Sequence, residues 1–347
     1  MKEITMKEVR LGMIGFGNVG QGFVEIIHRH SQDYQKEFGI QFRIVAVCDS
    51  VRGSIYRNNG FTPQELLDAV KNNRNLTTLP GDAQGWDAIT MIEKSGAETI
   101  AEISFTNLET GEPASSFVEK ALSLGKHVVT SNKGPVALNY RRLKKIAEKT
   151  NVLFGVEGTV MSGTPALRVG MEILKPARIH KVQGIFNGTT NYILTKMDAG
   201  MEYSAALAEA QALGYAEANP AGDVEGFDAA GKVVILANLL MDASIGLKDV
   251  QREGITAITK ADVAEAQKNN ETWKLIGMVE QNGDKISASV SPRRLSNTHP
   301  LSQVNGATNA VAFSTELMGE VTLIGAGAGR LETGFALLSD LLDIYRR

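Results

Sequence analysis

The sequence predicts an α/β protein: a doubly wound parallel sheet followed by a second, α+β domain. Three observations predict it. The apolar run at residues 9–14 opens directly into GFGNVG (15–20) and an amphipathic segment, the pattern of a strand, a tight turn and a helix. Apolar runs and helical patterns then alternate to about residue 155, as a parallel sheet with crossover helices requires. Beyond that point the pattern changes to one long apolar helix and a hairpin. At 347 residues the chain has length for about two domains, expected at 1–155, completed by 321–347 packing back, and at 156–320.

Composition narrows the function classes. The 36 basic and 39 acidic side chains leave a net charge of -3, so no strong field draws nucleic acid or an anionic membrane, and neither partner is expected. The opening MKEITMKEVR has charges where a signal peptide needs an apolar run, and no segment approaches the ~20 apolar residues that span a bilayer, so a cytoplasmic location is expected. Cys48 is the only cysteine, which rules out an internal disulfide and a cysteine-based zinc cluster. Within IVAVCD it reads as an inert thiol in a buried strand.

The first glycine-rich loop has a physical purpose at each position. Gly15 makes the tight turn, Gly17 lets a pyrophosphate approach the backbone, and Gly20 lets helix and strand pack closely, with Phe16, Asn18 and Val19 completing the loop. Free amides at the helix start receive the phosphates, and the helix runs to about residue 30. A second strand (42–48) ends in Asp49, placed to bind the adenosine ribose. Together these describe a Rossmann-type dinucleotide-binding domain. Asp49 suits the free ribose of NAD, while Ser50, Arg52 and Arg57 suit the 2′-phosphate of NADP, so either cofactor fits. In the long segment 53–85, Thr62, Pro63 and Glu65 form a capping box that starts a helix.

A strand at 99–104, a helix at 112–124 and a strand at 125–130 continue the sheet. Thr106, Asn107, Ser131, Asn132 and Lys133 come after strand ends, where open α/β sheets bind their ligands. The helix at 140–149 carries RRLKK opposite an apolar face, and those charges read as solvated. Strand 152–156 leads to EGTVMSGTPAL (157–167), a turn that points several carbonyls one way and could coordinate a hard cation.

Strand 181–186 then turns into NGTTNYIL (187–194), where Thr189 and Thr190 either cap the new helix or present donors to a ligand. A helix at 204–213 stops at Gly214. The next stretch, YAEANPAGDVEGFDAAGK (215–232), carries Glu217, Asp223, Glu225 and Asp228 and ends at Lys232. The adjoining segment, VVILANLLM (233–241), is apolar on every side and so belongs to a buried helix. Asp228 and Lys232 share one face of that helix at its start. An exposed pair at this spacing would be a minor ion pair; a buried one is a lysine held as proton donor or acceptor, its pKa set by burial and acidic neighbours. Strands at 273–280 and 285–290 joined at Asn282–Gly283 form a hairpin. Finally 321–324 lead into GAGAGR (325–330) and a last helix at 333–345.

With these motifs in this order, the chain resembles the homoserine dehydrogenases over essentially its whole length. The resemblance implies NAD(P)-dependent interconversion of L-homoserine and L-aspartate 4-semialdehyde, on the route to threonine and methionine. It implies a short monofunctional form without a kinase or ACT domain, and a homodimer formed through the second, substrate-binding and dimerisation domain. By position, Lys232 and Lys133 match the groups that handle the proton. Glu217 and Asp228 match the acids that bind the substrate amino group, with Asp223 nearby and Gly188, Thr189 and Tyr215 in the same pocket. Gly327 matches a cofactor contact. Glu157, Val160, Ser162 and Thr164 match the positions that hold a monovalent cation such as Na+, mostly through backbone. Asn219, where the family usually has Asp, and Gly222 depart from the pattern and affect the geometry of that loop. The residues agree with this reading: an ammonium beside the reduced oxygen stabilises its charge and gives the proton, and no thiol is needed. Cys48 is misplaced for a phosphorylating aldehyde dehydrogenase, and the five histidines lie outside the motifs. Two other classes share this architecture, a related oxidoreductase of another amino or hydroxy acid and a nucleotide sensor without catalysis; the lysines and acids argue against the sensor.

Overall fold

The structure is a computed structural model that describes residues 6–71 and 75–346. The chain forms two compact units, one of residues 1–163 and 329–347, the other of residues 164–328.

In the first unit the strands are β1 (Lys7–Ile14), β2 (Ile40–Asp49), β3 (Gly53–Phe61), β4 (Ala83–Gln84), β5 (Thr99–Glu102), β6 (His127–Thr130) and β7 (Phe154–Gly155). Their order across the sheet is β4-β3-β2-β1-β5-β6-β7. The strands from β2 across to β7 are mutually parallel, as alternation with helices demands. The edge differs from a wholly parallel sheet: β3 pairs antiparallel with β2, and β4 with β3. The segment expected to hold one helix therefore contains two strands besides α2 (Pro63–Lys71), which does carry the expected capping box: Glu65 N donates to Thr62 Oγ1 and Thr62 N to Glu65 Oε2.

The helix after the glycine loop, α1 (Asn18–Phe38), runs well past the expected end at His30. Its polar-looking second half is held by aromatics: Tyr34 stacks on Phe38 at 6.4 Å and meets Phe42 edge-on at 6.3 Å. Gly39 then stops it in the left-handed conformation, φ 65°. The other helices of this unit are α3 (Ala88–Lys94), α4 (Ala114–Ser123), α5 (Lys133–Thr150) and the terminal helix (Arg330–Arg346). Phe23, Val24 and Ile27 of α1 bury against Leu337, Leu338 and Leu341 of the terminal helix, each fully buried side chain contributing about 1.5 to 3 kcal/mol. That approach needs glycine, because a Cβ on Gly22 would lie 2.0 Å from Arg330 O. Only the terminal helix returns to this unit. Residues 321–324, expected to return with it, lie in the second sheet, because they pair with a strand that local sequence patterns do not predict.

The second unit holds β8 (Ile179–Ile185), β9 (Gln251–Arg252), β10 (Glu271–Asn282), β11 (Lys285–Ser296), β12 (Thr308–Thr315) and β13 (Gly319–Ala326), ordered β13-β12-β8-β10-β11-β9. The predicted hairpin is β10–β11, longer than expected, turning at Gly283 with φ 61°. The unforeseen β12 pairs antiparallel with both β8 and β13. The helices are α6 (Ala166–Arg168), α7 (Gly188–Asp198), α8 (Tyr203–Ala212), α9 (Ala221–Val224), α10 (Phe227–Leu240) and α11 (Lys260–Lys268). Helix α10 is buried from Ala229 to Ala237, as its all-round apolarity requires. It lies close on the sheet: a Cβ on Gly277 would meet Val233 at 2.8 Å.

Candidate active site

The second unit assembles one charged cluster, built where α7 and α10 begin. Lys232 sits in the buried run of α10 with only 7 % of its surface exposed. Its Nζ donates to Phe186 O at 2.6 Å and to Asp228 Oδ2 at 2.8 Å. Those bonds occupy two of the three ammonium protons. A buried charge without partners would cost several kcal/mol, and here it has a carbonyl at the end of β8 and a carboxylate one turn earlier.

Asn187 joins the acids. Its Nδ2 donates to Asp223 Oδ1 at 2.7 Å and to Asp228 Oδ2 at 3.1 Å, while its Oδ1 accepts from Thr190 N and caps α7. The cap is thus Asn187 itself, and neither Thr189 nor Thr190 serves as one. Thr189 instead donates to Tyr215 O at 2.5 Å, tying α7 to the acidic loop. Burial pushes the Asp223 carboxyl above its ordinary range; the Asn187 hydrogen bond opposes this, and nearby Asp228 adds to it. Gly188 admits the chain beside it, since a Cβ there would lie 2.6 Å from Ala307 O.

Not every expected substrate residue joins this cluster. Glu217 is exposed, and its carboxylate makes no hydrogen bond to the cluster among the described residues. Its backbone oxygen accepts from Gln211. Tyr215 is exposed and packs its ring on Tyr192, centroids 4.9 Å apart. Gly327, after β13, lies against Asn309, where a Cβ would come within 2.0 Å of the amide. Asn309 is fully buried, and neither amide atom has a hydrogen-bond partner among the described residues.

In the first unit the glycine loop has the geometry of a phosphate site. Gly15 has φ 97°, and a Cβ on it would strike Ile103 O at 2.4 Å, whereas beside Gly17 there is open space. Helix α1 begins at exposed Asn18 with no side-chain cap and no acid in its first turn, which leaves its amide end available to an anion. Asp49 braces this loop: Oδ2 accepts from Phe16 N at 2.7 Å, and Oδ1 accepts from Val51 N and Arg52 N. Ser50 is exposed beside it and Arg52 half-buried. Arg57 is committed elsewhere, to Glu65, to Pro80 O and over the Phe61 ring. Cys48 is no nucleophile, since burial first and then Asp87 and Asp49 push its thiol up to about 11.

At the ends of β5 and β6, Asn132 caps α5, which begins at Lys133 and not at residue 140. Asn132 Oδ1 accepts from Gly134 N, and its Nδ2 donates to Phe105 O. Asn107 closes its own turn on Glu109 N and Thr110 N, with Thr106 and Ser131 half-buried alongside. Of the expected cation residues, Glu157, Val160 and Ser162 are buried in the first unit, Ser162 with φ 53° and its hydroxyl 2.7 Å from Thr333 Oγ1. Thr164 belongs to the second unit and donates to Ala326 O. No group of three or more His, Cys, Asp and Glu placed to hold a metal occurs among the described residues, and no helix among them is long and apolar enough to cross a membrane. Asn187, which joins the two acids, is not singled out by sequence patterns as functional; its one signal is its position directly before a helix.

Residues 15–157 match the family model for the homoserine dehydrogenase NAD-binding domain, and residues 165–342 match the homoserine dehydrogenase model. The chain is 46% identical to the NAD(+)-dependent homoserine dehydrogenase of Pseudomonas canavaninivorans, over 98% of this chain and 97% of that one. Among solved structures, a putative homoserine dehydrogenase from Archaeoglobus fulgidus superposes with a TM-score of 0.87 at 37% identity, covering 97% of this chain and 99% of that one. A hyperthermophilic archaeal homoserine dehydrogenase in complex with NADPH gives 0.83 at 29% identity, covering 97% and 98%.

Proposed function

Because the chain belongs to the homoserine dehydrogenase family, we propose that Lys232 is the group that carries the proton in its reaction. That reaction is the NAD(P)-dependent interconversion of L-homoserine and L-aspartate 4-semialdehyde, in threonine and methionine biosynthesis. The bound nicotinamide nucleotide supplies or accepts the hydride. Lys232 gives a proton to the carbonyl oxygen during reduction and takes it back during oxidation. Its ammonium is oriented by Asp228 and Phe186 O, with one proton directed to neither. Lys133, at the first turn of α5, is the second lysine of the proton-handling pair. Asp223, Asp228 and Glu217 receive the substrate ammonium, with Gly188, Thr189 and Tyr215 shaping the loop around it.

The carrying observation is a lysine buried at the start of an apolar helix yet bonded to a carboxylate that shares its Asn187 donor with a second acid. Turnover with homoserine, malate and aspartate, each with NAD and with NADP, tests it. Oxidation of malate in preference to homoserine would refute the assignment.

The finer features are proposals of the same reading. NAD is the favoured cofactor, a reading supported by the acidic Asp49 at the end of β2 and by the pairing of Arg57 with Glu65. A monovalent cation is held by the buried stretch containing Glu157, Val160 and Ser162, together with Thr164, and activity in sodium against a bulky organic cation tests it. A homodimer forms through the second unit, a reading supported by exposed Leu317, Met318 and Ile324 on the edge hairpin β12–β13. Sedimentation equilibrium tests the dimer. The enzyme acts in the cytoplasm, which fractionation of the source cells tests.

A further inference from the structure

We propose that Glu102 is a positioning residue of the nucleotide site: a neutral carboxylic acid that fixes Ser104, Thr130 and Asn132 and, through Asn132, the first turn of α5 where Lys133 sits. Glu102 ends β5 directly across from Thr130 on β6 and is fully buried. Its Oε1 accepts from Ser104 N at 3.0 Å and from the Ser104 hydroxyl. Its Oε2 lies 3.1 Å from Thr130 Oγ1.

The available protons decide its state. The single Thr130 hydroxyl proton has a shorter bond, 2.8 Å, to the backbone oxygen of Glu102. Thr130 Oγ1 in turn accepts from Asn132 N at 2.9 Å and has a second lone pair. The Asn132 amide, which also lies close enough to influence the carboxyl, places its two protons on Phe105 O and Ser104 O at 3.0 and 3.3 Å. A proton on Oε2 donated to Thr130 Oγ1 satisfies every atom in the group; an ionised carboxylate leaves Oε2 poorly served in a site that water does not reach. The groups around the Glu102 carboxyl are neutral: a serine, a threonine and an asparagine. Burial pushes its proton affinity up, and the polar neighbours Ser104, Thr130 and Asn132 oppose that less strongly.

The consequence for function runs through Asn132. Its backbone is held by Thr130, its side chain ties the loop after β5 to Gly134, and Lys133 lies between those anchors. Loss of Glu102 therefore shifts two nucleotide-binding loops together. The role of Lys133 rests on the proposed mechanism, but the test reads the acid and the nucleotide directly.

Infrared spectra of the whole enzyme at neutral pH are expected to contain a protonated-carboxyl band that vanishes in Glu102→Gln. Glu102→Gln, which keeps an acceptor and a donor in place, is expected to bind nucleotide as the parent does. Glu102→Ala is expected to weaken nucleotide binding about tenfold or more by displacing the loops. Absence of the band overturns the proposal. So does a Gln variant as impaired as the Ala variant, or an Ala variant with parental affinity. If Glu102→Ala does not fold, the band and the Gln affinity still decide. Nucleotide affinity does not depend on proton transfer, so failure of the lysine mechanism would leave this result intact.

Discussion

Lys232 and Asp228 are joined across one turn of α10 at 2.8 Å, and the same Asp228 oxygen accepts from Asn187 at 3.1 Å. The pair is thus one edge of a network that also holds Asp223 and the end of β8. Both hydrogen bonds of Lys232 lie within the second unit, so on the proposed mechanism its loss leaves nucleotide binding untouched. Lys232→Met, which keeps the apolar stem inside the helix, is expected to lower kcat by about a hundredfold to ten-thousandfold while nucleotide affinity stays put. Turnover and a nucleotide fluorescence titration on the same preparation check it. A Met variant with kcat near that of the parent would remove Lys232 from the mechanism.

Asn187 keeps two like-charged carboxylates at workable separation by donating to both. Asn187→Leu removes that donor and the cap of α7 together. Stability is expected to fall by about 1 to 3 kcal/mol, the usual consequence of leaving buried polar groups unserved. Asp223, already pushed up by burial, should rise further, since the Asn187 bond is the largest of the effects that oppose it, ahead of Lys232 and Thr189. KM for homoserine is then expected to rise more than kcat falls, because in the proposed mechanism the acids receive the substrate ammonium and do not handle the proton. Urea unfolding and steady-state kinetics measure the two effects. Unchanged KM would detach Asn187 from substrate binding.

Much of this is legible in the sequence wherever a local rule applies. GFGNVG at a strand end needs its glycines for turn and close approach, and Gly15 and Gly17 occupy those positions. The apolar helix and its polar start are readable because a 3.6-residue period places Asp228 and Lys232 on one face. The misses have nonlocal causes. Strand β12 has an ordinary, partly polar sequence and becomes a strand through its pairing with β13 and with β8, which is distant in sequence. Helix α1 outruns its amphipathic stretch because Phe42, outside it, supplies the ring that Tyr34 packs on. Glu102 looks like the polar end of a strand, and only the facing Thr130 makes it a buried acid.

Asp49 makes a prediction about cofactor choice. One oxygen of its carboxylate braces Phe16 N and the other its own turn, so the side chain sets the loop, and in the proposed reading it also faces the ribose. Asp49→Asn can accept on one atom only and must present its NH2 to a backbone N–H, either that of Phe16 or those of Val51 and Arg52. A charge-assisted hydrogen bond is worth about 1.5 to 3 kcal/mol, so KM for NAD is expected to rise roughly tenfold to a hundredfold. NADP, whose 2′-phosphate the acid repels, should lose less, and the NAD preference should narrow. Comparing both cofactors at equal concentration in parent and variant checks this. A parent that prefers NADP would overturn the reading.

Lys274 offers a pH dependence that lies outside the catalytic chemistry. It is 1 % exposed in β10, and its Nζ donates to Val304 O at 2.6 Å, Asn305 Oδ1 at 3.0 Å and Asn191 Oδ1 at 3.2 Å. Burial pulls its ammonium down from 10.5 to about 8, with Asp198 opposing. Below about pH 8 the amine is charged in the folded and the unfolded chain alike, so it gives no slope there. Between about 8 and 10.5 the unfolded chain binds the extra proton, and stability must rise with pH. The gain attributable to this one group is on the order of 3 kcal/mol by the upper end of that window. Lys274→Met removes the titrating group, so its stability curve should lack the rise relative to the parent when urea midpoints are compared from about pH 7 to 10. Parallel curves for the two proteins would mean that the three oxygens around Nζ hold the amine charged throughout.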